Sequence, residues 1–156
     1  HRRQQAAGAI PALCAALRAN GSRPDVVAGA CAALRNACLG QDAPGQARKQ
    51  AAAIEEAIES VVALLAAHPE SVAVQEAGCG ALGNLCSGRG EHGSQRRRRA
   101  ADAGAVPLVV RAMLLHHGSA AVQEDGRHAL RQLVSESAAL RDEALRLGAD
   151  PGCFPT

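Results

Sequence analysis

The chain has 156 residues, a net charge of +2 and an apolar fraction of 47%, with Phe154 as its only aromatic residue. That length holds one domain with a core of Ala, Leu, Val and Cys, and near-neutral charge gives no overall pull on a polyanion. No run of about 18 apolar residues exists, so no membrane span is expected; the run Val106–Leu115 is broken by Arg111.

The chain opens HRRQQ, without Met or a signal peptide, and reads as a piece of a longer protein. Arg2–Gly8 reads as the end of one helix. Ala9-Ile10-Pro11 opens a second, with Pro in its first turn, where a missing N–H costs nothing. It ends at Asn20-Gly21, and a third helix runs from Pro24 to about Gly40. Asp42–Gly45 reads as a loop. Then come a short polar helix (Gln46–Glu56), an apolar one (Ala57–Ala67) and a long one (Val72–Ser87). Ser87–Ser94 reads as a second loop, followed by helices over Gln95–Ala103, Ala105–His117 and Ala120–Ser137. Leu140–Leu147 begins another unit, and 150–156 is expected to be a tail.

These elements repeat. Ala33-Leu34-Arg35-Asn36-Ala37-Cys38, Ala81-Leu82-Gly83-Asn84-Leu85-Cys86 and Ala129-Leu130-Arg131-Gln132-Leu133-Val134 stand 48 residues apart. Ile10, Ile58 and Val106 keep that interval, as do Leu17, Leu65 and Met113, and Val26, Val74 and Val122. Fixed self-similarity at this length is the mark of an all-α solenoid. The expected repeats are 1–41, 46–87 and 94–137, with a partial fourth at 138–149, in one domain spanning 1–149. Cys31 and Cys79 share the register, as do Cys38 and Cys86. Cys79 and Cys86 stand too far apart along one helix for a disulfide, and the cross-repeat pairs are poorly placed for one, so the cysteines read as buried small apolar residues in a reducing cytosol or nucleus.

Gly8-Ala9-Ile10-Pro11 and Gly104-Ala105-Val106-Pro107, together with the Ala-Leu-x-Asn-Leu pattern of the third helices, resemble armadillo repeats over nearly the whole chain. In the second repeat Glu56 and Glu59 take the Gly and Pro places, and in the third Gln132 replaces the Asn. The resemblance implies a right-handed α-α superhelix whose third helices line a concave groove. Family members that carry nuclear-localisation peptides have Trp four residues before the Asn. Here those places hold Ala32, Gly80 and His128, which argues against that cargo.

On the third helices Asn36, Asn84 and Gln132 point away from the core positions. An amide both donates and accepts, so these three are candidates for clasping the backbone of an extended guest. Arg35, Arg131, Glu76 and Glu124 edge the same face, where they would select charge, and His128 lies within it. The competing reading is that the amides bond neighbouring loops and that Gly80 and Gly83 are packing residues.

Other motifs carry less. Gly88-Arg89-Gly90-Glu91-His92-Gly93 matches a dinucleotide fingerprint, but no strand precedes it. Arg96, Arg97, Arg98 and Arg99 sweep most of a helical turn and read as a solvated polar face; a basic patch is the alternative. With no Trp or Tyr, single-stranded nucleic acid finds no stacking platform. His68 and His116 read as helix C-terminal caps. No metal-ligand, nucleophile or cofactor motif is present, so neither enzyme activity nor a cofactor is expected.

The expected function is binding of another protein's segment along the third-helix groove. One alternative is a nucleic-acid or anionic-membrane adaptor acting through Arg96–Arg99. Another is a structural spacer in a larger protein. Weak self-association through uncapped ends is also expected.

Overall fold

A computed structural model describes the backbone of residues 2–154 and the side chains of residues 8–154. Every regular element among them is helical. In order these are α1 (Arg2–Ala19), α2 (Pro24–Ala37), α3 (Ala43–Ile54), α4 (Ala57–Ala67), α5 (Val72–Leu85), α6 (Gly90–Asp102), α7 (Ala105–Leu115), α8 (Ala120–Val134) and α9 (Ala138–Arg146), then a 3-10 turn at Pro151–Cys153.

Local chemistry sets the helix starts. Ser71 and Ser119, 48 residues apart, cap α5 and α8 by accepting from the N–H of Val74 and Val122, each at 3.2 Å. Each first helix turns into its second through a left-handed residue, Glu56 (φ 60°) before α4 and Gly104 (φ 97°) before α7. Glycine meets no side-chain clash there, whereas Glu56 holds a strained backbone.

Packing repeats with the sequence. α5 lies between α2 and α8, and α4 packs against both α5 and α7. Ile10, Ile58 and Val106 are buried in register, as are Leu34, Leu82 and Leu130. All six cysteines are buried and free of disulfides. Burial pushes the thiols of Cys31, Cys38, Cys79 and Cys86 up to about 12, so they stay protonated and unreactive at neutral pH.

Polar bonds obey the same interval. Gln75 Nε2 donates to Leu65 O (3.1 Å) and His68 O (2.8 Å); Gln123 Nε2 donates to Met113 O (2.9 Å) and His116 O (3.1 Å). His68 and His116 do end their helices, but their rings also reach back one repeat. Nε2–H of His68 donates to Gly21 O (2.6 Å), and that of His116 to Pro69 O (2.7 Å).

Four boundaries differ from expectation, each for a physical reason. Residues 2–19 form one helix, with Gly8 helical rather than left-handed. The corresponding first helices, α3 and α6, instead pack against α1 and α4 of the preceding repeat and turn there. The Asp42–Gly45 stretch is helical from Ala43, because the Asp42 carboxylate accepts from Gly45 N (2.9 Å) and Pro44 suits the first turn. α6 starts at Gly90, inside the expected loop, where the backbone of Gly93 packs so close to Gly88 O that a Cβ could not fit. The expected tail folds back: Cys153 is buried, and its carbonyl accepts from Arg131 Nε at 2.8 Å. Pro155 and Thr156 lie outside the described residues.

Candidate partner-binding face

The α2–α5–α8 row carries the residues expected to meet a partner. Asn36 is exposed, Gln132 is half-buried, and Glu76 (half-buried) and Glu124 (exposed) lie further toward the helix starts. An open cleft of about 870 Å³ sits beside the C-terminal ends of α5 and α8. Its wall includes His128, Gln132, Ser135, Gln41, Ser87 and Arg89.

Several expected contacts are already made within the chain. Asn84 Nδ2 donates to Arg35 O at 2.7 Å, tying α5 to the neighbouring third helix. The Arg35 guanidinium crosses α5 and bonds Asp125 on α8 through both ends, Nη1 to Oδ2 at 3.1 Å and Nη2 to Oδ1 at 2.9 Å. It runs directly over Gly80, where a Cβ would lie 2.7 Å from Arg35 Cδ and 2.8 Å from Nε. The His128 ring covers Gly83 in the same way. Space expected to receive a guest at Gly80 is filled by the protein's own side chain. Arg131 is exposed but also serves the fold through Cys153 O.

Electrostatics around Asp125 are unbalanced. Burial lifts its carboxyl above the ordinary value, with Arg35 pulling down and Glu76 and Glu124 pushing up. Burial likewise lowers His128, helped by Arg35 and Arg131 and opposed by Asp125. An imidazole lowered in this way is neutral at pH 7.

The arginine run does not form one solvated face. Arg96 is 1% exposed. It donates to Leu85 O (2.7 Å), Ser87 O (3.0 Å), Gln50 Oε1 (2.9 Å) and Gln46 Oε1 (3.0 Å). Arg97, 6% exposed, donates to Cys86 O (2.9 Å) and Gly88 O (2.7 Å) and pairs with Glu136. Arg99 forks onto Glu59 at 2.9 and 3.0 Å, and exposed Arg98 bonds Glu91 at 3.0 Å. The orphan carbonyls ending α5 draw the first two inward, because a helix C-terminus is partly negative.

This bonding also follows the register. Arg48 Nε donates to Ala37 O (2.6 Å) and its Nη2 to Leu39 O (3.2 Å), while buried Lys49 bonds Gly40 O. Arg48 and Arg96 stand 48 apart, as do their acceptors Ala37 and Leu85, Leu39 and Ser87. The basic pair of each first helix closes the third helix of the repeat before it. The interval between Arg48-Lys49 and Arg96-Arg97 is visible in the sequence and could have marked them as architectural.

Gln41 and Gln46 were not foreseen at the cleft. Gln46 Nε2 donates to Gln41 Oε1 (3.0 Å), Gln41 Nε2 to Ser87 Oγ (3.0 Å), and Ser87 Oγ to Asn84 O (2.8 Å). A hydrogen-bonded chain therefore links α6, through Arg96, to the end of α5.

No cluster of three or more His, Cys, Asp or Glu side chains suited to a metal ion occurs among the described residues. No helix among them is long and apolar enough to cross a membrane. Compared with protein-family models, curated proteins and solved structures, the chain matches none.

Proposed function

We propose that the chain is an armadillo-like solenoid that binds a segment of another protein along its third-helix face. The observation supporting this reading is the packed row α2–α5–α8, with a cleft lined by polar side chains at its end. Repeat arrays use such continuous surfaces for recognition. The footprint moves toward the cleft, because Gln132, Ser135 and Arg89 line it while Asn84 and Arg35 are engaged within the chain. Asn36, exposed on α2, extends the same row. Glu76, Glu124 and Arg131 would bias the choice of guest by charge. The alternative through Arg96–Arg99 draws no support from the geometry, since each of the four bonds a protein partner.

Affinity capture from a cell extract tests the proposal, with parent protein set against an Asn36→Ala/Gln132→Ala variant. Both substitutions leave the core untouched, so the melting temperature should hold. A protein retained by the parent and lost by the variant is the expected result. Equal retention by two equally stable proteins would remove the amides from the binding face.

A further inference from the structure

We propose that Arg35 is a strap that closes the α5 part of the third-helix face, and that a guest gains Gly80 only when the strap swings out. This inference rests on the protein-binding reading and adds a gate to it.

Three observations carry the strap. The guanidinium spans from α2 to α8 with the middle helix beneath it, held by two parallel bonds of 3.1 and 2.9 Å. Gly80 is the floor that lets it pass, since any larger side chain would strike Arg35 Cδ, Nε and Cζ at 2.7, 2.8 and 3.0 Å. A mid-helix glycine is unfavourable by itself, so its presence under the guanidinium needs this reason. The pair also breaks the repeat. Gly83 stands at the place of Arg35 in the second repeat, and the row that ends in Asp125 reads Gly29, Ala77, Asp125, so only α8 carries the carboxylate. Arg35 itself recurs as Arg131, so what departs from the repeat is the ion pair, which needs the carboxylate that α8 alone supplies.

The two ends are unequally free. The Arg35 side chain is 37% exposed and that of Asp125 only 11%, so opening moves Arg35 into water and leaves the carboxylate in place. Around that carboxylate stand Glu76 from α5 and Glu124 and His128 from α8. Burial and the two glutamates work against the ionised carboxylate, which leaves the pair weakly held. Once Arg35 leaves, the Gly80 surface of α5 is uncovered.

A thermodynamic cycle tests the strap, and peptide display tests the gate. In the parent, Gly80→Ala should give no gain in melting temperature, because the new methyl evicts Arg35. In an Arg35→Ala background the same change meets no obstacle and should raise Tm by about 2–4 °C, as a better helix former does in a chain of this size. Equal shifts in both backgrounds overturn the strap. If Arg35→Ala does not fold, Arg35→Ala/Asp125→Ala, which leaves no buried charge behind, takes its place.

A displayed library of random peptides is then panned against the parent and the strap-free variant. Enriched peptides should bind the variant about tenfold more tightly, the factor that ~1.4 kcal/mol represents. Equal affinity for the two proteins overturns the gate while leaving the binding face intact. Failure of any peptide to bind either protein overturns the protein-binding reading and the gate with it.

Discussion

Arg96 and Arg35 are both arginines that leave their own helix to bond a neighbouring repeat, yet they do opposite work. Arg96 is buried, bonds only neutral carbonyl and amide oxygens, and has a register counterpart in Arg48. Arg35 is partly exposed and, although it recurs as Arg131, bonds a carboxylate whose register places hold Gly29 and Ala77 in the other two repeats. What recurs at the 48-residue interval closes helix ends and builds the array. The Arg35–Asp125 pair, which does not recur, lies on the α2–α5–α8 face.

The largest effect should come from the recurring residue. Arg96→Ala strips partners from Leu85 O and Ser87 O and opens a void, costing about 3–5 kcal/mol in a denaturant titration. Arg96→Lys should recover only part of this, because an ammonium lacks the planar fork. A loss below about 1 kcal/mol would end the distinction between architectural and surface arginines.

The strap should be weaker and lopsided. Arg35→Ala leaves the buried Asp125 carboxylate unpaired and should cost about 1–3 kcal/mol. Asp125→Asn keeps an acceptor, removes the desolvated charge and frees a partly exposed guanidinium, so the change should stay under about 1 kcal/mol. Equal and large losses would place the pair among the structural contacts.

A third change sharpens the comparison at the corner between first and second helices. Glu56→Gly relieves a left-handed backbone on an exposed residue and should stabilise the chain by about 1 kcal/mol. Gly104→Ala, at the matching corner, should destabilise by a similar amount. Thermal melts of the two variants should therefore move in opposite directions.

The smallest effect is a pH dependence on the face itself. His128 is lowered in the folded chain, so its contribution is full above its ordinary value of 6.5 and is lost as pH falls through the folded value. Asp125 is raised, so its contribution is full below its ordinary value of 3.8 and is lost as pH rises through the folded value. The two oppose each other between those values. His128→Gln should remove the acid-side loss, and melts of the two proteins from neutral pH down to about 5 should diverge. Parallel curves would show that His128 does not titrate against the fold.

Much of the architecture was legible in the chain. The interval between the Leu34, Leu82 and Leu130 motifs marked the third helices, and Ala57–Ala67 came out with its observed bounds. The starts of α3 and α6 were missed because Pro44 and the glycines at 88, 90 and 93 read as loop residues. Capping and backbone packing decide such starts, and both depend on atoms brought close by the fold.

The face was harder to read. Asn36 and Gln132 stay open as a helical wheel implies, because a wheel reports which side of a helix a residue occupies. It does not report what another repeat sends across that side. Asn84 and Gly80 occupy the same kind of position, yet one is bonded to Arg35 O and the other lies beneath the Arg35 side chain.

Periodicity by itself determined the helices, their order and the apolar seam, because these follow from spacing along one chain. The fates of Arg35, Asn84, Arg96 and Arg97 were decided only in three dimensions. The partners described above lie from 9 to 90 residues away. A long polar side chain can reach water or a buried carbonyl with equal ease, and only the packed neighbours choose between them.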